Sequence, residues 1–249
     1  MKDFSKKSSF VTGLPKFSIK ILIIRLIISL TVFFLSYLII RSIVETHFIS
    51  LYTVSAIGKY LVLSWIFYPI AILISIFCFY PNKKILLQHF TSLTLIKVVY
   101  HTTILVLISF AVSLVLNVIY FINSDKSTAI SLLSSYKGIG HFLSFNIFFF
   151  IQWVLVGLGE EIIFRGGFYR GIRSILPMGY SIILLSIFFL LMHSIHFYSS
   201  IFIFVSSAIS AYYLEKQNNL VPIILLHILQ DMYTAGITLY LGAYITSLL

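Results

Sequence analysis

Apolar runs of about twenty residues recur along this 249-residue chain, and that is the length an α-helix needs to cross the ~30 Å hydrocarbon core of a bilayer. Lipid offers no hydrogen bonds, so a segment inside it must satisfy its own backbone as a helix or a closed barrel. Barrel strands alternate apolar and polar residues over about ten positions. The runs here do not alternate, so the pattern predicts helices. They fall at 21–40, 60–80, 98–122, 142–164, 180–197, 201–214 and 220–240, with a short apolar tail to Leu249. The expected fold is all-α, a polytopic transmembrane helical bundle of about seven to eight spans. The short run at 201–214 is expected to be tilted or shielded from lipid by its neighbours. Only 10% of the residues are charged and 60% are hydrophobic, against about 25% charged in a typical globular domain. An ordinary water-soluble domain and a disordered chain are both excluded.

Charge distribution gives the orientation. Seventeen Lys and Arg face seven acids, Asp3, Glu45, Asp125, Glu160, Glu161, Glu215 and Asp231, for a net charge of +10. In a soluble protein such an excess suggests nucleic acid, but in a membrane protein it marks the loops on the cytoplasmic side. The bilayer is therefore the expected partner, and nucleic acid is not. With a cytoplasmic N-terminus, that side receives twelve basic residues: Lys2, Lys6, Lys7, Lys16, Lys20, Lys83, Lys84, Lys97, Arg165, Arg170, Arg173 and Lys216. The other side receives four, Arg41, Lys59, Lys126 and Lys137, while Arg25 snorkels from within the first run. The asymmetry predicts a cytoplasmic N-terminus. Cys78 is the single cysteine, so no intrachain disulfide or zinc knuckle is expected, and it reads as a small core residue. Three regions follow: a basic cytoplasmic segment at 1–20, N-terminal transmembrane helices with an external loop at 21–141, and a helical core at 142–249. The run at 21–40 is too long for a cleaved signal and is expected to stay as an anchor. The Ser/Thr-rich stretch 123–141 reads as an external loop or a surface-lying segment. Richness in Ile, Phe, Tyr and Lys suggests an AT-rich bacterial genome, hence a bacterial cell membrane.

Function is to be sought where polar groups sit in hydrocarbon, since each ionisable residue there costs about 2.5–3.5 kcal/mol on insertion scales. Three places stand out. The first is Gly159-Glu160-Glu161-Ile162-Ile163-Phe164-Arg165-Gly166. Glu161 and Arg165 are four apart with the acid first, the favourable order for an ion pair on one helical face. Glu160 is turned about 100° away and faces something else. The second is His193, with Phe189 one turn before it; His196 is a weaker choice nearer the external edge. A lone histidine of this kind is commonly hydrogen-bonded glue between helices. The third is His227 with Asp231, again four apart, a pair able to hold a metal, orient an imidazole or face a substrate. Each also has a bland reading, as an interfacial charge cluster or a bond between helix neighbours.

Taken together, in this order and on separate helices, these elements resemble the CPBP family of intramembrane proteases, which includes the CAAX-processing endopeptidases and bacteriocin self-immunity proteins. Its motifs are EExxxR, FxxxH and HxxxN or HxxxD, matched by Glu160, Glu161 and Arg165, by Phe189 and His193, and by His227 and Asp231. The resemblance covers about 142–240 and makes 142–249 the catalytic core.

The resemblance implies an integral-membrane endopeptidase in which Glu160 is the general base, His193 its partner in activating water, and His227 with Asp231 the oxyanion side. Glu161, Arg165 and Phe189 become supporting residues. Amide hydrolysis needs these parts: an activated water, a group that takes and returns protons, and donors to the developing oxyanion. An ionised carboxylate has no proton to donate, so Asp231, where many members have Asn, is expected to act through His227 by fixing its tautomer. No cofactor is expected. The same four residues leave open a metalloendopeptidase reading, with a divalent metal such as zinc polarising the water. The implied substrate is a peptide or membrane-tethered protein, in a bacteriocin or peptide pheromone system. The competing class is a non-catalytic immunity or membrane binding protein that keeps the fold.

Overall fold

The computed structural model describes residues 68–78, 90, 91, 93–124, 126–135, 147–193 and 197–248, with scattered positions between 20 and 35. Most of the run expected at 21–40, part of that at 60–80, and His196 lie outside the described residues. The bundle is built on α1, Tyr68–Cys78; α2, Leu95–Ile122; α3, Lys126–Ser135; α4, Ile147–Glu160; α5, Met178–Leu191; α6, Phe197–Gln217; α7, Val221–Leu229; and α8, Ala235–Leu248. Among the described residues there is no strand. By length and composition α2 and α6 can each cross a membrane, and α7 with α8, bent by 51° at their junction, makes a third such span if counted as one.

The buried stripe of α2 is polar where that of a soluble helix is apolar. Thr102, Ser109 and Ser113 face inward with Val98, Leu105 and Phe121, while Leu95, Ile96, Val99, Leu107 and Val115 are exposed. Hydrocarbon gives no hydrophobic reason to bring helices together, so small residues and interhelical hydrogen bonds do it. The hydroxyls of Ser113 and Thr238 are 2.7 Å apart, and Asn117 Nδ2 donates to Thr238 Oγ1 at 3.2 Å, tying α2 to α8. Gly242 permits this approach: a Cβ there would lie 2.8 Å from Asn117 Cβ and 3.1 Å from its carbonyl carbon. Gly242→Val is therefore expected to destabilise by about 1–3 kcal/mol, the usual cost of overpacking, read as a lower unfolding temperature in detergent. The Ser/Thr-rich stretch is helical over α3, where fully buried Ala129 packs with Phe121 and Ala243.

The fourth run is longer than its apolarity suggests. Beyond Glu160 the helix loosens into a π-helical stretch, Glu161–Tyr169, and closes with an α turn, Arg170–Arg173. Arg165, Arg170 and Arg173, expected in a cytoplasmic loop, instead belong to this continuous helix. Arg165 and Arg170 are buried. Arg173 Nε donates to Glu215 Oε1 at 3.1 Å, and Tyr169 OH donates to Glu215 Oε2 at 3.0 Å. Carboxylates on α4 and α6 thus replace the water that a loop arginine would need.

This geometry also fixes depth. At about 1.5 Å per residue, Glu160 lies about 20 Å before the turn at 174–177 and His193 about 22 Å after it. Glu160 and His193 therefore stand at similar distances from the same turn, and the two can meet at one depth.

Candidate active site

Glu161 sits where α4 widens. Its Oε1 accepts hydrogen bonds from Arg165 Nη1 at 3.0 Å and from His227 Nδ1 at 2.8 Å. The Glu161 and Arg165 side chains are each only 2% exposed, so the pair on one helix face anticipated from their spacing is present, and it reaches across to α7. The Arg165 guanidinium carbon lies 4.1 Å from the centroid of the Phe189 ring, a cation–π contact. Phe189 also meets the rings of His193 at 4.6 Å and His227 at 6.2 Å, and Phe164 edge-on at 5.1 Å. One aromatic ring therefore spaces both imidazoles and covers the cation.

Glu160 Oε2 is buried and makes no hydrogen bond to a described residue. Facing it are His193 Nε2 at 3.8 Å and His227 Nε2 at 3.7 Å. Asp231 Oδ2 lies 3.5 Å from His227 Nε2. Separations just beyond hydrogen-bond length between convergent polar atoms suit bridging by one small polar molecule. The other ring nitrogens fix the tautomers. The carbonyl of Phe189 can only accept, so His193 Nδ1, 2.7 Å away, carries a hydrogen. Glu161, paired with Arg165, likewise offers only lone pairs, so His227 Nδ1 carries one too.

The structure thus brings Glu160, Glu161, Arg165, Phe189, His193, His227 and Asp231 together from three helices. One role is reassigned. Asp231 was expected to hold His227 in its tautomer; Glu161 does so at Nδ1, and Asp231 faces Nε2. That assignment follows from α4 crossing α7 at Gly157, where a Cβ would stand 3.1 Å from Ile228 Cγ1 and 3.6 Å from His227 Cβ. Sequence reasoning also missed Gln230, which donates through Nε2 to Ser206 Oγ at 3.0 Å and to Ser109 Oγ. It ties α2 and α6 to the π-helical turn Gln230–Thr234 that follows α7 and carries Asp231. An amide inside an apolar run was a usable signal.

A cavity of about 730 Å³ adjoins these groups, lined by side chains of α2, α6 and α8 as well as by Glu161, His193, His227 and Asp231. Among the described residues, no set of three or more His, Cys, Asp or Glu side chains is arranged to hold a metal ion.

Apolar helices around a polar cluster, with Glu160, Glu161 and His227 well covered and His193 and Asp231 about a third exposed, define an integral membrane protein with a polar site among its helices. Residues 142–233 match the family model described as type II CAAX prenyl endopeptidase Rce1-like. The match supports the CPBP and CAAX protease family and implies an endopeptidase. It spans less than half of the chain, yet it contains all seven residues of the cluster. No curated protein and no solved structure matches the chain.

Proposed function

We propose that this chain is an integral-membrane endopeptidase that hydrolyses a peptide bond with a water activated by Glu160 and His193. The observation that carries this reading is the buried Oε2 of Glu160, faced by two imidazole Nε2 atoms at 3.7 and 3.8 Å. With Nδ1–H of His193 committed to Phe189, its Nε2 presents a lone pair in the neutral ring. A water between Glu160 and His193 gives one hydrogen to each and keeps a lone pair for the scissile carbon. As the O–C bond forms, the proton moves to Glu160, and Glu160 then delivers it to the leaving nitrogen.

His227 supplies the oxyanion side. Its first hydrogen is committed to Glu161, so the Nε2–H that faces an oxyanion is the second hydrogen of an imidazolium. Asp231 is then the counter-ion at that Nε2 until substrate displaces it. Asparagine at 231 brings its own N–H donor, whereas leucine brings none. Asp231→Asn is expected to keep kcat within about tenfold of wild type, and Asp231→Leu to lose about 10²-fold or more, the cost of an oxyanion donor, because His227 without its counter-ion gives up the second hydrogen that serves the oxyanion.

In this reading the whole chain has seven to eight spans, a basic cytoplasmic N-terminus at 1–20, and a core at 142–249 in a bacterial cell membrane. The substrate is a peptide or a membrane-tethered protein, with bacteriocin or pheromone processing, or self-immunity, as the setting. The test is cleavage of a quenched peptide library by the detergent-purified protein, with and without chelator. Cleavage indifferent to chelator is the expected result. Cleavage abolished by chelator and restored by zinc would transfer the chemistry to a metal. A folded protein that cleaves nothing would transfer the function to an immunity or binding protein.

A further inference from the structure

The two ends of the described bundle differ in charge and in how they close the cavity. At one end the start of α2 meets the end of α6, with the rings of His101 and Tyr213 5.5 Å apart. Exposed Lys97 and Lys216 lie at that end. The Arg173 and Glu215 pair lies there too. At the other end the close of α2 meets the start of α6: the rings of Tyr120 and Tyr198 are 5.5 Å apart, and Asn123 Nδ2 donates to Tyr198 OH at 3.3 Å. Lys126 is the one exposed basic residue described there.

The cavity reaches toward both ends, but its walls are not alike. Toward the basic end its lining residues are shut away from the surface, with Ser210 at 3%, Ile223 at 1% and Leu226 at 2% exposure. Toward the other end its lining includes Phe197, 71% exposed, and exposed Ser199. The floor is on the lysine-rich side and the rim is opposite. Basic residues mark the cytoplasmic face, so the rim belongs to the outer face.

We infer that the cavity is loaded from the outer face of the membrane, past Phe197 and Ser199, and that its substrate is a peptide segment presented there. This rests on the endopeptidase reading for what enters, though not for the direction of entry. A peptide fits the lining, because Ser113, Asn117, Ser206 and Gln230, which keep acceptor capacity beyond the bonds that tie the helices together, stand with Leu116, Phe202 and Ile203, and such a mixed wall serves backbone groups and apolar side chains together. A cavity used from the cytoplasm would need its floor, among the most tightly buried residues of the core, to open.

The experiment uses full-length protein carrying Cys78→Ala, with Ser199→Cys or Lys216→Cys added. Intact cells are treated with a membrane-impermeant maleimide, and permeabilised cells serve as the comparison. Ser199→Cys is expected to label in intact cells and Lys216→Cys only after permeabilisation. In detergent, where both faces are open, a bulky maleimide on Ser199→Cys is expected to lower cleavage of the peptide library at least tenfold relative to the same unmodified variant. The same reagent on Lys216→Cys is expected to leave it unchanged. Labelling of Ser199→Cys only in permeabilised cells overturns the inference, as does full cleavage after its modification. If no variant cleaves, the endopeptidase reading fails while the labelling still decides the side from which the cavity opens.

Discussion

Glu160→Gln is expected to leave a folded, membrane-inserted protein whose kcat for peptide cleavage has fallen about 10³-fold, within the range of a lost general base. The substitution preserves volume and an oxygen, so the helix at 160 has no reason to move. It removes the ability to take a proton from water and puts an N–H where a lone pair faced His193 and His227. Because Glu160 Oε2 has no hydrogen-bond partner among the described residues, stability should change little, and the unfolding temperature in detergent is the control. His193→Ala should act on the same step, so the double variant should be hardly worse than either single one. Cleavage by Glu160→Gln within tenfold of wild type would remove this residue from the reaction.

The second large effect is on stability. Glu161→Ala strips Arg165 of its carboxylate and His227 of its acceptor, in a place where both members of the pair are 2% exposed. Breaking a buried pair from one side costs about 3–5 kcal/mol, whereas replacing both partners by apolar groups of similar size is often neutral. Glu161→Ala should therefore lower the unfolding temperature sharply, and Glu161→Leu with Arg165→Met should restore most of it. Cleavage should not return with stability, because His227 Nδ1 still lacks its acceptor. Recovery of both together would reduce Glu161 to a fastener of the helix, with no part in orienting the imidazole.

What was legible in the chain was legible for physical reasons. Ionisable groups inside apolar runs are so costly that few occur without a partner, and those few, at Glu160, Glu161, Arg165, His193, His227 and Asp231, converge in space. Helical periodicity predicted the bond from Glu161 to Arg165, because both lie on one element. It could not predict which carboxylate holds His227, because Asp231 is its neighbour by sequence and Glu161 its neighbour by helix crossing at Gly157. Hydropathy also misplaced the end of the fourth run: it registers Arg165, Arg170 and Arg173 as polar and has no means of seeing Glu215 waiting on α6. A run of apolar residues says how much lipid a segment tolerates, but α5 is 14 residues long, about 21 Å as a helix, and stops at the site.

That short helix has a consequence for the cell. Where α5 ends, the carbonyls of Phe189 and Leu190 are taken up by the ring and the backbone N–H of His193, and backbone that leaves a helix at membrane depth survives only beside protein or a water-filled space. With the cavity open to the outer face, as inferred above, the barrier between the two aqueous phases is thinner here than the lipid around it. It consists of the dry layer formed by Ile223, Leu226 and their neighbours beneath the cavity. These side chains carry no chemistry, yet they hold back protons and ions. Enlarging the cavity downward to admit bulkier substrates would cost the membrane its seal before it cost the enzyme its reaction.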